Sequence, residues 1–372
     1  MQPILVTGAT GNVGTAVLRQ LLEAGQPVRA TVTNLGRARA GFELKFPAPL
    51  NAGQLQLVRL EFGEPSSYDA AFAGVRACFL LRPPAVSGIK RLMLPAIDAG
   101  VALGVRRWAF LSLQVAQSNP VVPHRAVEKH LEGLGKSGAL EYTFLQASFF
   151  MQNLFTTHGD DIARLDDIFI PAGNGKTAFI DVRDIAAVAV KALTSSAADF
   201  ERLGLRNAGM ELTSAEALSY TEVAAIMARV LGRPITYSNP SPIAFALHLK
   251  KQGMPLAQIF VMEALYAIAK LGLTGKLTGE VQRILERAPI SLEQFAFIRS
   301  FFVLAAALPL GLALAQTVPI GRPSTITKLV TKQLVWPLDS NVGFLNGSKI
   351  QFQYPSRSID GRSVLPLREL AR

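Results

Sequence analysis

One cysteine, four histidines and few charged residues narrow what this 372-residue chain can be. A single cysteine excludes an intramolecular disulfide framework, and Cys78 lies in the apolar run "ACFLL", where a small buried thiol is expected and not a nucleophile. The histidines are scattered and have no carboxylate or thiol partners at ligand spacing, so no metal site is expected. Charged residues are 17% of the chain, below the usual quarter, while 49% is apolar, which excludes a disordered polymer. The net charge of +11 is spread without a basic run or interleaved aromatics, so no nucleic-acid partner is expected. A strand pattern begins within three residues of Met1, leaving no room for a signal peptide, and the cytoplasm is the expected location.

What is present is an alternation. "PILVTG", "PVRATV", "LQLVRL", "RACFLL", "RWAFLSL" and "YTFLQAS" read as strands separated by helical or connecting segments. Their nearly continuous apolar character is that of a parallel sheet covered on both faces, an α/β doubly wound fold of the Rossmann type. Residues 1–155 form the expected nucleotide-binding core, and 156–300 the remaining core elements with a smaller, mainly helical substrate or lid region. In that second part "IDVRDIAAVAVKALT" is a helix capped near Asp181, and "SYTEVAAIMARVLGRPITY" is a helix with a Ser219–Glu222 capping box, ended by Gly232 and Pro234. "SPIAFALHLKKQG" and "AQIFVMEALYAIAKLG" read as lid helices. Residues 301–372 read as an appended tail. Its apolar stretch Phe301 to Ile320 approaches the length of a membrane span, but Pro309 and Pro319 interrupt it. Membrane association through 301–320 is therefore the alternative to a purely cytoplasmic protein, and a helix buried or covered by a partner is the leading reading.

The main functional signal is "LVTGATGNVGTAVLRQLLEAG". Gly8, Gly11 and Gly14 stand where a strand passes into a helix, so main-chain amides can approach a pyrophosphate closely and the helix N-terminus can receive its charge. The next strand ends in "TVTNLGRAR". An acid there would bind a ribose 2′-hydroxyl, whereas Thr33, Asn34 and Arg37 offer donors and positive charge to a 2′-phosphate, so NADP(H) is favoured over NAD(H). Arg39 is the alternative to Arg37, and one of the two is expected on a solvated helix face.

With "AFAGVRACFLLRPP", "FLSLQVA", "HRAVEKHLEGLGKSGALEYTFLQASFFMQNL", "AGNGKTAFIDVRDIAAVA" and "ALSYTEVAAIMARVLGRPITY", this glycine motif resembles the NmrA-like group of atypical short-chain dehydrogenases/reductases over residues 3 to 300. That group includes redox-sensing regulators and NADPH-dependent quinone reductases. The resemblance implies that Thr10, Asn12 and Val13 join the glycines around the pyrophosphate and that Glu61 and Phe62 flank adenine. It places Leu81, Arg82, Pro83 and Ser112 near the inner ribose and nicotinamide. Enzymes of the wider superfamily use a tyrosine four residues before a lysine. Lys129 matches the lysine, but Arg125 stands in place of the acid and cannot release a proton near neutrality. Lys129 is expected to contact the cofactor or to pair with Glu128 or Glu132, and His124 is the nearby group that titrates in a useful range. Phe149, Phe150 and Met151 offer an apolar substrate wall, and Gln152 and Asn153 offer amides. The family's usual Arg-Pro before them is Gln146–Ala147 here. Hydride transfer to a quinone or related conjugated carbonyl tolerates a missing tyrosine, since water can protonate the oxygen. The alternative is a non-catalytic NAD(P)-binding redox sensor or regulatory protein that acts on a partner protein.

Overall fold

The computed structural model describes residues 1–83, 86, 88–114, 116–117 and 122–298, with short strands between 334 and 364. The chain divides into two compact units, Met1–Phe295 and Ala296–Arg372. In the first unit the strands are β1 (Ile4–Val6), β2 (Val28–Val32), β3 (Leu55–Arg59), β4 (Ala77–Leu81), β5 (Arg107–Leu113), β6 (Glu141–Ala147), β7 (Phe149–Phe150), β8 (Asp167–Ile168), β9 (Thr177–Ile180), β10 (Ala208–Leu212), β11 (Ala217–Leu218) and β12 (Thr236–Tyr237). Seven of them form one parallel sheet in the order β10-β6-β5-β4-β1-β2-β3. The order reverses between β1 and β4, which opens a crevice at their carboxyl ends.

Alternation along each strand covers both faces of this sheet. Ile4, Val6, Ala77, Phe79, Ala109 and Leu111 face one core with helices α1 (Asn12–Glu23) and α5 (Val182–Thr194). Leu5, Cys78, Leu80, Trp108 and Phe110 face the other, with α3 (Leu94–Ala102) and α4 (Pro123–Lys136). The helix α2 (Leu35–Lys45) follows β2. Cys78 is enclosed, and burial pushes its thiol well above the usual range, in keeping with the expected inert thiol.

Local chemistry explains the element ends. Asp181 accepts the Arg183 amide at 2.8 Å to cap α5, and Ser219 and Glu222 form both halves of the capping box of α6 (Tyr220–Leu231). Gly232 stops α6 at φ 68°, where a side chain would be strained. The chain continues with α7 (Pro242–Lys251) and α8 (Leu256–Lys270), and the small sheets of this part are β11-β9-β7 and β12-β8. Within the seven-stranded sheet the strand that sequence patterning misses is β10, whose Gly209 and Glu211 break an apolar run at the sheet edge.

In the second unit Val342–Leu345 pairs antiparallel with Leu334–Val335 and Ser348–Gln351, and Arg357–Ile359 pairs with Arg362–Val364. The apolar stretch 301–320 lies outside the described residues. Among the described residues no helix is long and apolar enough to cross a membrane, and no cluster of side chains could hold a metal ion.

Candidate dinucleotide site

The turn between β1 and α1 is shaped by its glycines. Gly8 adopts φ +62°, which favours glycine, and donates no room to a side chain because a Cβ would lie 2.9 Å from Leu81 Cδ2. At Gly14 a Cβ would stand 2.1 Å from the Gly8 carbonyl oxygen, so the third glycine lets helix and turn touch. A Cβ at Gly11 would meet only that oxygen, at 3.4 Å. Gly11 therefore has room for a side chain within the protein, and its side of the turn faces outward with the exposed Thr10 and Asn12. Gly11 caps α1 without a side-chain hydrogen bond, and the ladder begins only at Thr15, whose amide donates to the Gly11 oxygen at 2.9 Å. The amides of Asn12, Val13 and Gly14 thus have no acceptor in the helix, which makes them an anion cradle. Thr7 fixes the adjoining crevice: its amide donates to the Phe79 oxygen at 3.0 Å and its hydroxyl accepts the Leu81 amide at 2.7 Å, joining the ends of β1 and β4.

At the end of β2, Thr33, Asn34 and Arg37 are exposed, and Asn34 caps α2 by accepting the Arg37 amide at 2.9 Å. Both arginines are exposed; Arg39 pairs with Glu43 at 2.8 Å, whereas Arg37 has no ion pair among the described residues. Glu61 and Phe62 follow β3 half-buried, with the Glu61 amide held by the Ser67 hydroxyl at 3.1 Å. Leu81, Arg82 and Pro83 are half-buried at the end of β4, and Arg82 donates to the Val86 oxygen at 2.8 Å.

At the ends of β5 and β6 several of the expected site residues are engaged within the protein. Ser112 is fully enclosed, and its hydroxyl donates to Glu128 at 2.7 Å. Gln146, the departure from the family pattern, donates to the same carboxylate oxygen at 3.0 Å, and Arg125 reaches the other oxygen at 3.1 Å. Arg125 also holds Glu132 at 2.6 Å. Neither acid is therefore the partner of Lys129, which is exposed about 100° around the helix from Glu128. The α4 residue that faces Ser112 is Glu128, and His124 stands one turn before it on the same helix face. A signal was available: 124, 127, 128 and 131 form an i, i+3, i+4, i+7 face, which places Glu128 at a core position.

His124 does not titrate near neutrality. Burial, aided by the Arg82 charge, pushes it down to about 4, so it is neutral at pH 7. Its ring lies 6.0 Å from Phe110. Gln152 is enclosed and not a free substrate amide: its nitrogen donates to Asp181 at 3.2 Å and its oxygen accepts the Val182 amide at 3.2 Å. Met151 is enclosed too, while Phe149 and Phe150 are half-buried and Asn153 is exposed.

A parallel sheet whose first strand enters its helix through three glycines beside the switch point defines a dinucleotide-binding protein of the doubly wound class. The chain matches the NmrA-like family over residues 1–286 and belongs to that family. It is 32% identical over 299 residues to an NAD(P)H azoreductase of Xenophilus azovorans, a match spanning 79% of this chain and 96% of that protein. Its fold is similar to that of a triphenylmethane reductase of Citrobacter sp. complexed with NADP(H), with TM-score 0.66, 21% identity and coverage of 80% and 99% of the two chains. It is equally similar to an Escherichia coli NADPH-dependent quinone oxidoreductase complexed with NADPH, with TM-score 0.66, 24% identity and coverage of 79% and 98%.

Proposed function

We propose that this chain is an NAD(P)H-dependent oxidoreductase that reduces a quinone, azo compound or related conjugated acceptor, with NADPH preferred to NADH. The observation that carries the reading is the β1–α1 turn, where the Gly8 conformation, the close approach at Gly14 and three helix amides without acceptors fit a pyrophosphate. The azoreductase and quinone oxidoreductase relatives support the acceptor class.

In this reading Gly11, Asn12, Val13 and Gly14 hold the pyrophosphate, with Thr10 beside it. Thr33, Asn34 and Arg37 hold the 2′-phosphate, Arg37 being unneutralised among the described residues. Glu61 and Phe62 border the adenine, and Leu81, Arg82 and Pro83 border the nicotinamide half. The bound dinucleotide supplies the hydride. Phe149 and Phe150 provide an apolar surface for a flat acceptor, and Asn153 is an exposed amide beside them. No side chain of the strand-end network serves as the acid: the Ser112 hydroxyl donates its hydrogen bond to Glu128, Arg125 retains its proton, and His124 is neutral. Solvent then protonates the reduced acceptor, a division of labour suited to quinones and azo bonds.

Following NADPH oxidation with a panel of quinones and azo dyes tests the reading. Turnover above the acceptor-free rate is expected. Tight NADPH binding with no turnover for any acceptor would overturn it in favour of a redox sensor.

A further inference from the structure

The helix α8 is apolar on the side that the described residues leave exposed. Ile259, Tyr266 and Ala269 face inward, and Tyr266 holds His158 at 2.6 Å. On the opposite half-turn, successive 100° steps place Leu256, Phe260, Val261, Leu265 and Leu271 together with three alanines and Ile268, and no polar residue. Its polar residues Gln258, Glu263 and Lys270 lie toward the inward half. Phe260 is 77% exposed and Leu271 74%. The neighbouring α7 adds Ile243, 75% exposed, and Leu247. Nine of the thirteen large exposed apolar side chains among the described residues fall within 243–277, so exposed apolar surface is concentrated on these two packed helices and their flanks.

The charge around this patch selects its occupant. Between residues 241 and 278 the chain carries four lysines and one acid, Glu263. Lys250, Lys251 and Lys270 are exposed and have no acidic partner among the described residues, whereas Lys276 pairs with Glu211 at 2.7 Å. Two copies meeting through the patch would bring these lysines together in a chain already at +11, and lysine is depleted from protein interfaces. An anionic lipid surface suits both features, because apolar side chains enter the acyl boundary while lysine stems lie along it with their ammonium groups at the phosphates.

We infer that the α7–α8 hairpin docks the protein peripherally on anionic lipid bilayers. Sedimentation of the full-length protein with phosphatidylcholine vesicles, with and without phosphatidylglycerol, tests this. Binding is expected to be about tenfold stronger to the anionic vesicles. The variant Phe260→Glu/Leu265→Glu is expected to lose about tenfold or more of that binding while still melting cooperatively within a few degrees of the wild type, since Phe260 is 77% and Leu265 40% exposed. Lys250→Glu/Lys251→Glu is expected to erase the preference for anionic lipid. Wild-type protein left in the supernatant would overturn the inference. So would undiminished binding of the Phe260→Glu/Leu265→Glu variant, which would assign membrane contact to another segment. A dimer that this variant dissociates in ultracentrifugation, with no vesicle binding by the wild type, would give the patch to a second copy.

Discussion

Replacing Gly14 by alanine puts a methyl group where the Gly8 carbonyl stands. The new Cβ would lie 2.1 Å from that oxygen and 2.6 Å from its carbon, both main-chain atoms that no rotamer change can move. Restoring ordinary contact requires the turn and helix to separate by more than about 1 Å, an overpacking strain of about 1–3 kcal/mol. For a unit of this size that is a fall in Tm of about 2–5 °C. The same displacement takes the Asn12 and Val13 amides off their common target. Each hydrogen bond lost to a charged phosphate is about 1.5–3 kcal/mol, or about 10- to 150-fold in Kd. Calorimetric titration with NADPH and thermal melting of the same protein read both effects. Gly11→Ala is the contrasting variant: its Cβ meets only the Gly8 oxygen at 3.4 Å, so its fold should lose no more than about 1 kcal/mol while its methyl group blocks the ligand's approach. A Gly14→Ala protein that melts and binds like the wild type would refute the packing argument. A Gly11→Ala protein with undiminished affinity would refute the placement of the phosphate.

Arg37→Ala should weaken NADPH by about tenfold and leave NADH unchanged, because only the former carries the 2′-phosphate; equal losses for the two would assign Arg37 elsewhere. Glu128→Ala leaves Arg125, Ser112 and Gln146 without their shared acceptor, and denaturant unfolding should show a loss of about 3–5 kcal/mol. His124 and His158 both sit at about 4 in the folded protein, pushed down by burial first, then by Arg82 and His248 respectively. The unfolded chain binds more protons between pH 6.5 and 4, so the stability they contribute is complete above 6.5 and is lost as pH falls through that window. The loss is about 3 kcal/mol for each, and His124→Gln should flatten its share in unfolding curves taken across these pH values.

Much of this was readable from the chain because it rests on local rules. Apolar runs gave six strands of the sheet, the glycine spacing gave the turn, and Ser219 with Glu222 gave a helix start that the structure reproduces bond for bond. The rest depends on contacts distant in sequence. Gln152 finds Asp181 across 29 positions and Gln146 finds Glu128 across 18, so neither side chain shows locally that it is occupied. Glu128, which faces Ser112, and the exposed Lys129 are neighbours in the chain. On a helix that one step turns the side chain by about 100°, from the sheet to solvent. Likewise, the low value at His124 comes from burial and from Arg82, 42 positions earlier in the chain. The strand β10 was hidden because an edge strand can carry Gly209 and Glu211 without an apolar run.

Titration of the full-length protein with NADPH in a calorimeter addresses the central claim most directly. Saturable binding at micromolar concentration, weakened at least tenfold in Gly11→Ala, is the result this account requires. No heat with either NADPH or NADH up to millimolar concentration would contradict it.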